Sequence, residues 1–212
     1  ERRSIVLYSY KGLRKAAREA CDGPKTRVAV LGNVSTQFLA EAIKGEMQCR
    51  KNAVDVYDAP YNQIELCLFD DASDMYLFEP DYIVIWVSSY KLYEDYMKEE
   101  FYLHDSFAER MMEKVEAYWS AIMLRSGAKI LQMNFVEIED KVLGNFSSKM
   151  THCFVSQIRK LNYLLQEKME KHENVYPVDL CSIQNRIGRE KFVDTVQELL
   201  KDVEMEYGTE EV

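Results

Sequence analysis

Long apolar runs are missing from this 212-residue sequence. The longest, Tyr82 to Val87, covers six positions, against about 20 for a helix that crosses a membrane, so no membrane span is expected. Positive charge is also scarce. Lys and Arg number 27 against 36 Asp and Glu, for a net charge of −9, whereas a nucleic-acid binder needs a basic face. The five cysteines, Cys21, Cys49, Cys67, Cys153 and Cys181, form neither a C-x-x-C pair nor a cluster with the three histidines. That excludes a disulfide-stapled miniprotein, leaves no candidate metal site, and implies reduced, mostly buried thiols in a cytoplasmic setting. Neither G-x-x-x-x-G-K-[ST] nor G-x-G-x-x-G occurs, which removes the common phosphate-cradling loops. The sequence opens Glu-Arg-Arg without an initiator methionine or a signal-peptide core and ends in the acidic segment Glu204 to Val212; a piece of a longer protein is expected.

Aliphatic, aromatic and Cys residues supply 47% of the chain and charged residues 30%. That composition and length suit one folded domain with one sizeable core. Arg27-Val-Ala-Val-Leu-Gly32 reads as a strand, and Thr36 to Gly45 as a helix with Phe38, Leu39, Ala42 and Ile43 at helical spacing and Gly45 as its stop. Further strands are expected at 54–57, 82–87, 129–134 and 175–179, with a helix near 62–68 after the second. The third, Asp81-Tyr-Ile-Val-Ile-Trp-Val87, is unbroken and β-branched, as a central parallel strand should be. Apolar stripes define later helices: Phe107/Met111/Val115/Tyr118/Trp119/Ile122, Phe154/Ile158/Leu161/Leu165, and Val193/Val196/Leu200/Val203/Tyr207. An earlier helix from about Ser4 carries Lys11, Arg14, Lys15 and Arg18. Alternating strands and helices with right-handed crossovers predict an α/β fold of three layers (α/β/α) around a five-stranded parallel sheet of flavodoxin-like order 2-1-3-4-5.

Ligands of open parallel sheets bind beyond the carboxyl ends of the strands. That rule gathers polar groups from every strand end: Gly32, Asn33, Ser35 and Thr36 after the first, Asn62 and Gln63 after the second, Ser88 after the third, Asn134 after the fourth and Asp179 after the fifth. A pocket floored by Gly32, Asn33 and Ser35 is expected, with the amides of the Thr36 helix favouring a carboxylate or phosphate. Two plainer outcomes compete with it. Ser35, Asn62 and Ser89 stand where helix N-caps belong, and the polar groups could bond one another and leave no cavity. Ser35 is the candidate nucleophile, but it needs a base. His104 and His172 lie in polar helical stretches that read as solvated, and His152 is expected to start a helix on the far edge. Asp70-Asp-Ala-Ser-Asp74 has the wrong spacing for an aspartyl-phosphate nucleophile and reads as a solvated loop.

These loops resemble a known family. The run Arg27 to Gly45, with Val56-Tyr-Asp-Ala-Pro-Tyr-Asn-Gln63, Tyr76-Leu-Phe-Glu-Pro-Asp-Tyr82, Gln157-Ile-Arg-Lys-Leu-Asn162, Asp179 and Ile187-Gly-Arg189, is similar to the N-terminal domain of FkbH-like proteins of the haloacid-dehalogenase superfamily, subfamily IIIC. The resemblance implies an SGNH-hydrolase-like fold ahead of a phosphatase-type domain. It implies a bacterial biosynthetic setting in which a phosphoglycerate-derived glyceryl unit is loaded onto an acyl carrier protein. The D-x-D nucleophile and Mg²⁺ belong to the phosphatase-type half, so no cofactor is expected in this segment. The SGNH Gly-Asp-Ser maps onto Gly32-Asn33-Val34, which puts valine at the nucleophile position, and Asp179-Leu-Cys-Ser182 lacks the SGNH histidine.

The expected organisation is a helical lead-in at 1–24, the α/β domain at 25–190, and a C-terminal helix at 191–212 leading toward the phosphatase-type half, packed on the domain or on a second copy. The expected function is non-hydrolytic recognition of a small anionic or carrier-linked acyl ligand. The alternative is an active esterase or acyltransferase using Ser35 or Thr36. Partners follow: an acyl carrier protein or a small anionic acyl donor, and a possible homodimer through the last helix.

Overall fold

A computed structural model describes residues 8–19, 21–138 and 143–192. Five strands, β1 (Thr26–Gly32), β2 (Val54–Asp58), β3 (Tyr82–Trp86), β4 (Lys129–Met133) and β5 (Val175–Val178), form one parallel sheet in the order β2-β1-β3-β4-β5. The expected order is the one found, with strand boundaries displaced by one residue at most. Pro177 lies in β5, the edge strand, where its missing N–H costs no ladder bond on the open side.

Side-chain alternation divides the core between the two faces. Ala29, Leu31, Ile83, Ile85 and Ile130 join the larger cluster. It is covered by α3 (Ile64–Phe69), α4 (Asp74–Leu77), α5 (Ser89–Tyr96), α6 (Phe107–Arg125) and α7 (Phe154–Met169). Val28, Val30, Val54, Val84 and Met133 face the other way, against α2 (Gln37–Cys49) and Leu180 of α8 (Leu180–Ile187). The stripe on α6 is buried except for half-buried Met111, and all four stripe residues of α7 are buried. The stripe from Val193 onward lies outside the described residues.

Three boundaries differ from the sequence reading, one of them the start of the first helix, which lies at Tyr10 with Ser9 as its N-cap rather than near Ser4. Gly45 does not stop α2, which runs on to Cys49. A Cβ at position 45 would stand 2.1 Å from the Leu13 carbonyl oxygen, so glycine is there because α1 (Tyr10–Ala16) crosses α2 at that point. Tyr10 donates to Glu41 at 2.6 Å and its ring meets Phe38 edge-on, which fixes the same contact. The second helix starts later than expected, at Ile64, because Asn62 takes up a left-handed turn (φ +55°). The five cysteines form no disulfide: Cys67 and Cys153 are buried, and Cys21, Cys49 and Cys181 half-buried. No described helix is long and apolar enough to cross a membrane.

Candidate functional site

At the end of β1 the chain turns so tightly that a Cβ on Gly32 would meet the Thr36 methyl at 2.5 Å and the Val34 carbonyl at 3.1 Å. Asn33 then reaches across to β3: its Oδ1 accepts from the Ser88 amide at 2.8 Å. Thr36 is buried, and its hydroxyl donates to Asp58 Oδ1 at 2.5 Å, tying the start of α2 to the end of β2. Burial raises the pKa of the Asp58 carboxyl, and the Thr36 bond partly opposes that. At the other side of the sheet Asn134 donates to Asp179 Oδ1 at 2.8 Å and accepts from the Cys181 amide at 3.2 Å. Asp179 also accepts from the Ser182 amide at 2.9 Å as the N-cap of α8. Burial pushes the Cys181 thiol up to about 11.

Helix capping explains only Asp179 among the ring of polar residues. The N-caps are Thr36, Gln63 and Ser88 rather than Ser35, Asn62 and Ser89, and none of the three bonds its own helix through its side chain. Each expected cap is off by one residue because the strand-to-helix loops set the register.

A cleft of about 350 Å³ opens at this carboxyl edge, where β1 and β3 send their helices to opposite faces. Ile64, Val87, Leu92 and Met111 give it an apolar lining, while Asn33, Asn62, Glu65, Lys91, Asp95, Lys114 and Tyr118 bring polar groups. Lys114 pairs with Glu65 at 2.6 Å, and the Tyr118 hydroxyl donates to the same carboxylate oxygen at 3.1 Å. The Lys114 bond holds the Glu65 carboxyl below its usual range, and burial raises the Tyr118 phenol. Lys91 pairs with exposed Glu94 at 2.8 Å. Both ammonium groups are therefore held by carboxylates of this chain.

A second cleft, of about 30 Å³, takes Ser88, Ser89, Tyr90 and Asn134 together with Leu180 and Phe192. The ring is thus divided: Asn33 and Asn62 line the larger cleft, Ser88 and Asn134 the smaller, and Gly32, Ser35, Thr36, Gln63 and Asp179 line neither. A larger depression of about 850 Å³ lies at the amino edge. Its Lys25, Arg27 and Arg125 are already matched by Asp55, Glu79 and Asp71, and parallel sheets do not place ligands there.

The histidines differ from the sequence reading. His104 stacks on Tyr96 with ring centroids 3.8 Å apart, and His172 meets Trp119 edge-on, so both are packed rather than solvated. His152 precedes α7 on the carboxyl side of the sheet, since Asn162 halfway along α7 already bonds the backbone of Phe135 just past β4. It packs on Phe101 and lines neither cleft. Among the described residues no group of three or more His, Cys, Asp or Glu could hold a metal ion. Sequence reasoning did not single out Glu65, Asp95, Lys114 and Tyr118, which line the larger cleft. The available signal was the i, i+4 spacing of Lys114 and Tyr118, which puts both on one helix face.

The FkbH N-terminal domain family model matches residues 27–209. The chain belongs to that family. The FkbH N-terminal domain is also similar in structure to the N-terminal part of the protein BF1531 from Bacteroides fragilis, whose crystal structure contains a phosphatase domain and is complexed with Mg. The two share 33% identity over 87% of this chain and 48% of that one, with a TM-score of 0.79; the present chain spans about half the length of that relative. A search of curated proteins finds no match. Several family-like residues have structural tasks in this FkbH N-terminal domain: Gln157 accepts from the Ala108 amide at the start of α6, Asn162 clamps Phe135, and Asp81 accepts from the Arg27 amide.

Proposed function

We propose that this domain is the recognition module of a larger FkbH-type protein, holding a small anionic or carrier-linked acyl ligand without hydrolysing it. The observation that carries this reading is the 350 Å³ cleft at the carboxyl edge, the position where open parallel sheets hold their ligands. The carboxylate or phosphate of a glyceryl-type ligand would replace Glu65 or Glu94 on Lys114 and Lys91, Asn33 and Asn62 would take its hydroxyls, and Leu92 and Met111 would meet its carbon chain. In this reading the fold is SGNH-like, but the hydrolase chemistry has no base. Among the described residues no side chain hydrogen-bonds Ser35, and no histidine lines either cleft. Dephosphorylation and Mg²⁺ would belong to the phosphatase-type half, and the acceptor would be an acyl carrier protein.

The test is a titration of isotopically labelled domain with glycerate and 3-phosphoglycerate, followed by amide shifts. Saturable shifts centred on Asn33, Asn62, Lys91 and Lys114 support the reading. Saturable binding that leaves those four unmoved refutes it.

A further inference from the structure

A parallel sheet is buried on both faces, but the described helices cover the second face of this one unevenly. α2 packs beside β2 and brings Leu39, Ile43 and Met47 to the second cluster. Besides α2, the only described helix that joins that cluster is α8, through Leu180 alone. A strip over β3, β4 and β5 is thus left open by the described helices. Register sets its residues in rows: Tyr82 beside Lys129 at the amino end, then Val84 beside Leu131, with Trp86 at the carboxyl end.

The chain reaches the head of this strip at Phe192. After Gly188, with φ +94°, a helix starts again: residues 189–192 are helical, and the Phe192 amide donates to the Gly188 carbonyl at 3.0 Å. Arg189 anchors that start by pairing with Glu137 at 2.8 Å, and Phe192 is grouped with Trp86 and Leu180 in the small cleft. From there the open strip extends only toward the amino edge. The sequence that follows suits it, since Val193, Val196, Leu200, Val203 and Tyr207 recur at helical spacing. Trp86 and Tyr82 are four residues apart, about 13 Å along a strand, which a helix covers in about nine residues. A helix continued from Phe192 therefore draws level with Tyr82 just before Asp202, Glu204 and Glu206.

Charge at the amino edge matches that arrival. Lys129 is a fourth cation of the depression there, after Lys25, Arg27 and Arg125. Among the described residues it has no carboxylate partner, and its ammonium lies over the Tyr82 ring, 5.8 Å from the centroid. Residues 193–212 carry seven acidic side chains and one lysine.

We propose that the strip over β3, β4 and β5 is the seat of this chain's own segment 193–207, packed as a helix antiparallel to the strands, with Asp202, Glu204 and Glu206 meeting Lys129. A second copy would offer the same stripe, but only the chain's own segment starts from a Phe192 already seated at the head of the strip. The segment closes the second face and carries the chain beyond 207 away from the edge that holds the 350 Å³ cleft. The inference does not rest on the ligand assigned to that cleft.

The test is methyl NOE spectroscopy on the 212-residue chain, once fully labelled and once as a mixture of labelled and unlabelled protein filtered for contacts between chains. Contacts from the Val196, Leu200 and Val203 methyls to those of Val84 and Leu131 are expected in the first sample and not in the second. Lys129→Glu should lower Tm, and adding Glu204→Lys and Glu206→Lys to it should recover much of the loss, more so at low salt. The proposal is overturned if those contacts are missing, if they appear in the filtered mixture and so belong to a second copy, or if the charge exchange leaves Tm where Lys129→Glu alone puts it.

Discussion

Thr36 and Asp58 stand 2.5 Å apart, hydroxyl to carboxylate, and join the first turn of α2 to the end of β2. Thr36→Val removes the donor and should cost about 1–2 kcal/mol, the lower part of the range for a bond to a charged group because Asp58 keeps solvent on one side. The titration has a definite sign. The folded pKa of Asp58 is raised above 3.8, mainly by burial, so its contribution to stability is fully present below 3.8 and is lost as pH rises through the folded value. Thr36→Val should raise that pKa further, measured by following the Asp58 carboxyl carbon against pH. An unchanged titration would show that the bond does not form in solution.

Gly45 is the point where α1 rests on α2. Gly45→Ala puts a methyl group against the Leu13 backbone, and backbone cannot step aside as a side chain can. The expected result is release of α1: rapid proteolytic cleavage near Gly23, which has a left-handed φ of +130°, and a loss of about 1–3 kcal/mol by overpacking. Gly127→Ala, with nothing within 4 Å of its Cβ, serves as the control and should be nearly neutral.

Glu137 binds Arg159 and Arg189 together, and its hydrogen bond to Arg159 is the largest cause of its lowered pKa. A lowered carboxyl pKa gives stability that is present above the unfolded value of 4.5 and is lost as pH falls through the folded one. Glu137→Gln should therefore flatten the acid limb of the stability curve below 4.5 relative to the parent. At neutral pH it should cost about 1 kcal/mol. Chemical denaturation at a series of pH values measures both.

A fluorophosphonate probe should leave Ser35 unlabelled under conditions that label an active serine hydrolase completely. Ser35 has no imidazole partner to take its proton, and an unactivated serine is a weak nucleophile. Covalent modification at Ser35 would establish the esterase alternative.

Sheet order and strand positions were legible because unbroken apolar runs, a glycine stop and β-branched residues mark Arg27–Gly32 and Tyr82–Val87. The role of Gly45 was not, since a glycine chosen for close helix crossing looks the same as one that ends a helix. The site was half legible. The switch-point rule named Asn33 and Asn62, which line the larger cleft, but it treats one sheet edge as one pocket, and the first turn of α5 parts Ser88 and Asn134 from them. Glu65, Lys114 and Tyr118 come from α3 and α6, separate helices that only packing brings together.

Isothermal calorimetry of 3-phosphoglycerate with the parent chain and with the Lys91→Met/Lys114→Met double variant tests the recognition reading most directly. Those two cations are its central contacts in the carboxyl-edge cleft. The parent should bind with an affinity that falls as salt is raised, and the double variant should lose roughly tenfold or more while keeping its fold by circular dichroism. Equal binding by both proteins would contradict the assignment of this cleft.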